Sequence, residues 1–67
     1  MRKWLTDMRI KAGLTQAQVA KGANISQPSY NAIENGRSTP KPDTAKRIGN
    51  LLHFPWPKFY EEDDDDE

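Results

Sequence analysis

Residues 14 to 36 read LTQAQVAKGANISQPSYNAIENG, and within that stretch the chain writes two helix starts and two helix stops. Thr15 followed by Gln18 forms a capping box, and Val19, Ala20 and Ala23 give the helix behind it one apolar stripe. Asn24 then stands where the chain must turn sharply, and asparagine is one of the few residues besides glycine that tolerates a left-handed backbone. Ser26 caps the next helix, Tyr30 and Ile33 are spaced to anchor it, and Asn35-Gly36 ends it. Two short helices joined by such a turn must cross and share one core. The second has few apolar residues, so one side meets the core and the other is left for solvent or a partner. Gly22 interrupts the first at a cost of roughly 1 kcal/mol against alanine; close packing against a neighbour would explain it, and nothing in the sequence tests that.

Helical periodicity continues on both flanks. In RKWLTDMRIKAG, Leu5, Met8 and Ala12 recur at spacings of three and four, so they share a face, with Gly13 as the stop. RSTPKP carries two prolines within three residues and reads as an extended linker. DTAKRIGNLLHF places Ala45, Ile48, Leu51 and Leu52 on its apolar side, and Pro42 suits a first turn. WPKFY adds a last short helical turn whose Trp56 and Phe59 cover the core, as Trp4 does from the other end of the chain. His53, near a helix end, reads as a C-terminal cap or a solvent position. The expectation is an all-α fold of five helices, forming one domain over residues 1 to 60.

A chain of 67 residues holds one domain at most and buries too little surface for a deep pocket beside its core. It has no cysteine, so the core works without disulfides, which fits a reducing cytoplasm. No run approaches the roughly 18 apolar residues of a membrane span, and MRKWLTDMRI lacks the apolar region of a signal peptide. A soluble, cytoplasmic protein without membrane contact is expected. The formal net charge of zero hides a strong asymmetry, because residues 61 to 67, EEDDDDE, are all acidic. Residues 1 to 60 set ten Lys and Arg against Asp7, Glu34 and Asp43, an excess of seven positive charges that suits a polyanion partner. Self-repulsion predicts a disordered acidic tail, which either solubilises the chain or competes with a polyanion for its basic face. The run has neither the glycine turn nor the glutamate spacing of an EF-hand loop. One histidine, no cysteine, no glycine-rich phosphate loop and no paired carboxylates in a cleft point to no enzyme, no metal and no cofactor.

The ordered set LTQAQVA, NIS, AIENG, a proline-bearing linker and an apolar helix, closed by WPKFY, resembles the Cro/C1-type (XRE-like) helix-turn-helix family of bacterial and phage repressors. The resemblance runs from about residue 4 to residue 60. It implies a compact five-helix, lambda-repressor-like DNA-binding domain with its helix-turn-helix element at about residues 15 to 36. It also implies a sequence-specific transcription regulator, a repressor rather than an activator, since a bare domain mainly blocks a promoter. The implied ligand is a double-stranded operator of inverted-repeat form, read by a homodimer that forms in solution or only on DNA. Its dimer surface would lie around Leu51, Phe54, Trp56 and Phe59. The alternative is an antitoxin-like or phage accessory module with a protein partner and secondary DNA binding. RNA binding is disfavoured, because no exposed aromatic platform is evident.

In this family the third helix enters the major groove, which nominates its outward residues. Gln27 and Asn31, one turn apart, each offer a donor and an acceptor suited to adenine. Pro28 has no hydrogen to donate; it either starts the helix or presses on a thymine methyl, and Ala32 can favour a methyl but cannot hydrogen-bond. Direct reading would then be sparse and indirect readout would carry more of the specificity. Gln16 matches the family glutamine that clamps a phosphate, and Asn35 and Arg37 match positions near the operator backbone. Ser29 and Lys41 extend the phosphate set, with Lys21 and Lys11 as weaker additions. Arg9 and Glu34 stand where the family pairs an arginine late in the first helix with the glutamate before Asn-Gly, implying an ion pair that fastens the reading helix.

Overall fold

Every α-helix stops where the sequence offers a residue able to take a left-handed backbone. The computed structural model describes residues 1–61, so the expected disorder of the acidic tail falls, beyond Glu61, outside the described residues. Four α-helices, α1 (Lys3–Lys11), α2 (Gln16–Gly22), α3 (Gln27–Glu34) and α4 (Pro42–Leu52), are followed by a 3-10 turn at Trp56–Tyr60. Among the described residues the positive φ values are Gly13 (+73°), Asn24 (62°), Gly36 (+79°) and His53 (62°), one after each α-helix. Behind each of the first three, two N–H groups fold back on the last turn. After α3, Gly36 N–H donates to the Ile33 carbonyl at 3.2 Å and Arg37 N–H to the Ala32 carbonyl at 3.0 Å. The same pair of bonds follows α1 and α2, so carbonyls that would otherwise lack partners are satisfied within the chain.

The starts are equally local. Thr15 Oγ1 accepts from Gln18 N–H at 3.1 Å while Gln18 Oε1 accepts from Thr15 N–H at 2.8 Å, completing the capping box. At α3, Pro28 is the second helical residue and has no N–H, so the Ser26 hydroxyl caps Ser29 N–H instead, at 3.2 Å.

The expected fifth helix is the 3-10 turn, and length explains the difference. Only five residues follow Pro55 before the acidic run, and such short pieces favour i to i+3 bonding. Lys58 N–H donates to the Pro55 carbonyl at 3.0 Å and Glu61 N–H to the Lys58 carbonyl at 3.2 Å. Leu5, Val19, Tyr30, Ile48 and Phe59 are the largest fully buried side chains. Trp4 meets Phe54 edge-on at 5.1 Å and Phe59 at 5.3 Å between ring centres, so the half-buried Trp4 covers the core at the closing turn. Trp56 is likewise half-buried.

Two further expectations change. Ala12 is exposed, because it is the C-cap residue of α1 and not part of its buried face. Phe54 and Phe59 are only 7% and 2% exposed and belong to the core, which removes them from any dimer surface. Gly22 lies against a close neighbour: a Cβ there would lie 2.8 Å from Leu51 Cδ1, so α2 and α4 approach closely. Among the described residues no helix is long and apolar enough to cross a membrane.

His53 holds a left-handed φ with a Cβ. His53→Gly should therefore stabilise the fold, by up to about 1 kcal/mol once glycine's own entropy is counted. Gly36→Ala should do the opposite. Thermal melts should show the two midpoints moving apart by several degrees.

Candidate nucleic-acid interface

The last residue of α3 organises this region. Glu34 is 2% exposed, and its carboxylate accepts four hydrogen bonds. Oε1 takes Thr6 Oγ1 at 3.1 Å and Gln16 Nε2 at 3.0 Å. Oε2 takes Arg9 Nε at 2.5 Å and the Tyr30 hydroxyl at 2.7 Å. Thr6 and Arg9 come from one flank of α1, Gln16 from the first turn of α2, and Tyr30 from one turn earlier in α3. Burial alone would raise the Glu34 carboxyl, but the hydrogen bonds from Arg9, Tyr30 and Gln16 outweigh it and hold the group below its usual range. Burial, and then donation to Glu34, push the Tyr30 phenol far up. Arg9 is raised chiefly by its bond to Glu34, and its Nη1 also donates to the Leu14 carbonyl at 2.9 Å.

With Tyr30 and Ile33 buried, the opposite side of α3 faces out. Gln27, Pro28 and Ser29 are exposed, and Asn31 and Ala32 are half-buried. Ser26 donates its hydroxyl hydrogen to Ser29 Oγ at 2.9 Å, which leaves the Ser29 hydrogen for an outside acceptor. Asn31 Oδ1 is buried without a hydrogen-bond partner.

Gln16 is half-buried with one amide hydrogen on Glu34, and the second hydrogen of that amino group remains for a further acceptor. Asn35 follows Glu34 in the chain as the exposed C-cap of α3, and Arg37 is exposed two residues on. Lys41 is exposed at the start of α4, where its side chain makes no capping bond. Lys21 is exposed near the end of α2. Lys11 falls elsewhere: with Trp4, Asp7, Met8, Ile10 and Lys58 it lines a shallow groove of about 460 Å³, while Thr6 and Arg9 point from another flank of α1 to Glu34.

Arg2 is a structural residue that nothing in its sequence neighbourhood singles out. It is 6% exposed, its N–H donates to the Glu34 carbonyl at 2.7 Å, and its Nη1 donates to the carbonyls of Ile33 at 2.5 Å and Ser38 at 2.8 Å. Beside Lys3 near the N-terminus it reads as an ordinary surface cation. The links from Thr6 and Gln16 to Glu34 were missed for a similar reason, being contacts between helices. Tyr30 did carry a signal, since it precedes Glu34 by four residues, the spacing of helical neighbours.

A fold of this kind, with α3 fastened from behind and polar in front, defines a helix-turn-helix protein. Residues 5–59 match the helix-turn-helix family model, and the chain belongs to the Cro/C1-type, XRE-like family of DNA-binding transcription regulators. It is similar to the uncharacterized HTH-type transcriptional regulator YqaF of Bacillus subtilis (strain 168), with 45% identity over 62 residues, 92% of this chain and 82% of that protein. It is also similar to the cryptic phage CTXphi transcriptional repressor RstR of Vibrio cholerae, with 29% identity over 51 residues, 76% of this chain but 46% of that protein. No solved structure matches the chain significantly.

Removing the carboxylate strands Arg9 in a partly buried site, so Glu34→Ala should lose about 3–5 kcal/mol in urea titrations. The acid limb tests the same group. Because the folded carboxyl is depressed, its contribution is complete above the unfolded value of about 4.3 and disappears as pH falls through the folded one. Glu34→Gln should be less stable at neutral pH and should flatten that part of the acid limb.

Proposed function

We propose that this protein is a sequence-specific repressor that lays α3 in the major groove of an inverted-repeat operator. One observation carries the reading: the N-terminal half of α3 exposes Gln27, Pro28 and Ser29, while Tyr30, Ile33 and Glu34 secure the same helix from behind. Gln27 is the leading base reader, with both a donor and an acceptor to offer. Asn31 contributes its amino group, and Pro28 and Ala32 present apolar surface suited to a thymine methyl. Gln16, Ser29, Asn35, Arg37 and Lys41 hold phosphates on either side and set the register. Repression follows from occupancy of the promoter, in keeping with its similarity to the phage transcriptional repressor RstR. The protein binds as a homodimer, associating on DNA if not before, through the half-buried Leu51 and Trp56 at the α4 end. We assign it no catalytic role and place it in the cytoplasm.

Selection of bound sequences from random duplexes tests the reading. The wild type should enrich a motif with related half-sites about one helical turn apart. Gln27→Ala should relax one or two positions of that motif, by about 1–3 kcal/mol of discrimination. Arg37→Ala should leave the motif intact and lower the salt dependence of log K by about 0.9. A protein that enriches no duplex at all is not such a repressor.

A further inference from the structure

The linker between α3 and α4 carries two of the proposed phosphate contacts, Arg37 and Lys41, and long-range bonds hold it at two points. Arg2 Nη1 donates to the Ser38 carbonyl at 2.8 Å, and Arg2 Nη2 lies 3.4 Å from Thr39 Oγ1. The same Nη1 also donates to the Ile33 carbonyl, so one guanidinium ties the end of α3 to the start of the linker. Further along, the Tyr60 hydroxyl donates to the Pro40 carbonyl at 2.8 Å, and Pro40 is buried although its neighbours Thr39 and Lys41 are exposed. Arg37 N–H and Ser38 N–H both return to the Ala32 carbonyl. A segment with no regular ladder of its own, and with Pro40 unable to donate to one, is thus fixed by one residue ahead of α1 and one at the closing turn.

We propose that Arg2 and Tyr60 are positioning residues for DNA-backbone binding: they hold the linker so that Arg37 and Lys41 meet phosphates without being ordered on binding. The proposal rests on the DNA-binding reading above and deepens it. Ordering a loop side chain at an interface carries an entropic penalty, and a linker secured in advance avoids part of it. Arg2 itself is buried and forms no part of the contact surface. Its guanidinium fork reaches two carbonyls and a hydroxyl at once, which a lysine ammonium on a flexible stem cannot match. The charge and the positioning are therefore separable by substitution.

The test is operator or bulk-duplex affinity over a range of salt, read as the slope of log K against log salt, well below the melting temperature of each protein. Arg2→Lys keeps the charge, so an electrostatic contribution from that position alone leaves the slope unchanged. The proposal expects the slope to fall by about 0.9 for each phosphate contact released. It also expects the loss to overlap that of Arg37→Ala, so that the double variant loses less than the two single losses together. Tyr60→Phe, which removes only the donor to Pro40, should shift the slope in the same direction, and it decides the matter should Arg2→Lys fail to fold. Slopes equal to wild type in the folded variants, with Arg37→Ala lowering its own, overturn the positioning role and leave DNA binding standing. A wild type without salt-dependent affinity for any duplex overturns both.

Discussion

A carboxylate at 2% exposure is tolerable only because four donors reach it. The buried core contains several alanines, including Ala20, Ala23 and Ala45, whose contacts are non-directional and leave room for helices to slide or rotate. Hydrogen bonds to two fixed oxygens do not. Thr6 and Arg9 set α1 against the end of α3, Gln16 sets the first turn of α2 there, and Tyr30 holds the side chain along its own helix. One acidic group therefore fixes the angle between the helices of the helix-turn-helix element and the helix behind them. A substitution that merely fills the space cannot replace that directionality.

The remaining elements secure the structure around this centre. Trp4, Phe54 and Phe59 join the start of α1 to the closing turn through ring contacts, and Arg2 lies 5.5 Å over the Phe59 ring. Lys58 and Lys46 lie over Trp4 and Trp56, so the half-buried indoles are partly covered by lysines. Residues near both ends of the described chain thereby converge on the segment after α3. Anchors lie behind and beyond that helix, while its first residues remain open, which is the asymmetry a reading helix requires.

What was legible in the sequence was what depends on neighbours in the chain. Thr15 with Gln18, Ser26, Asn24 and Gly36 fix helix ends through bonds spanning a few residues, and those ends stand where the residue chemistry placed them. The Arg9 and Glu34 pairing came from a family resemblance, because nothing in composition couples residues so far apart. Arg2 had neither source of information. Its partners lie more than 30 residues away, and a basic residue next to Lys3 gives no sign of burial. Phe59 is expected both to cover the core and to join a dimer surface, and only the first holds; Phe54 is turned inward by the chain reversal after α4, which its sequence neighbours do not reveal. Asn31 has an outward helical position, yet the covering of its oxygen depends on surroundings that helical spacing does not encode.

The proline in the first turn of α3 has a consequence beyond helix initiation. Pro28 contributes no donor, Ala32 has no polar atom, and the Asn31 oxygen is covered. Among these four outward residues, Gln27 alone presents both a donor and an acceptor on an exposed side chain. Under the proposed reading, the base-contacting face is chemically sparse while the surrounding phosphate contacts are numerous. Phosphate contacts supply affinity and register but no direct sequence information. Specificity must then come from one bidentate side chain, apolar contacts with thymine methyls, and the deformability of the DNA that the fixed linker requires to follow it. A rigid helix start and a rigid linker serve the last of these together, because a shape can discriminate among sequences only when the protein does not yield first.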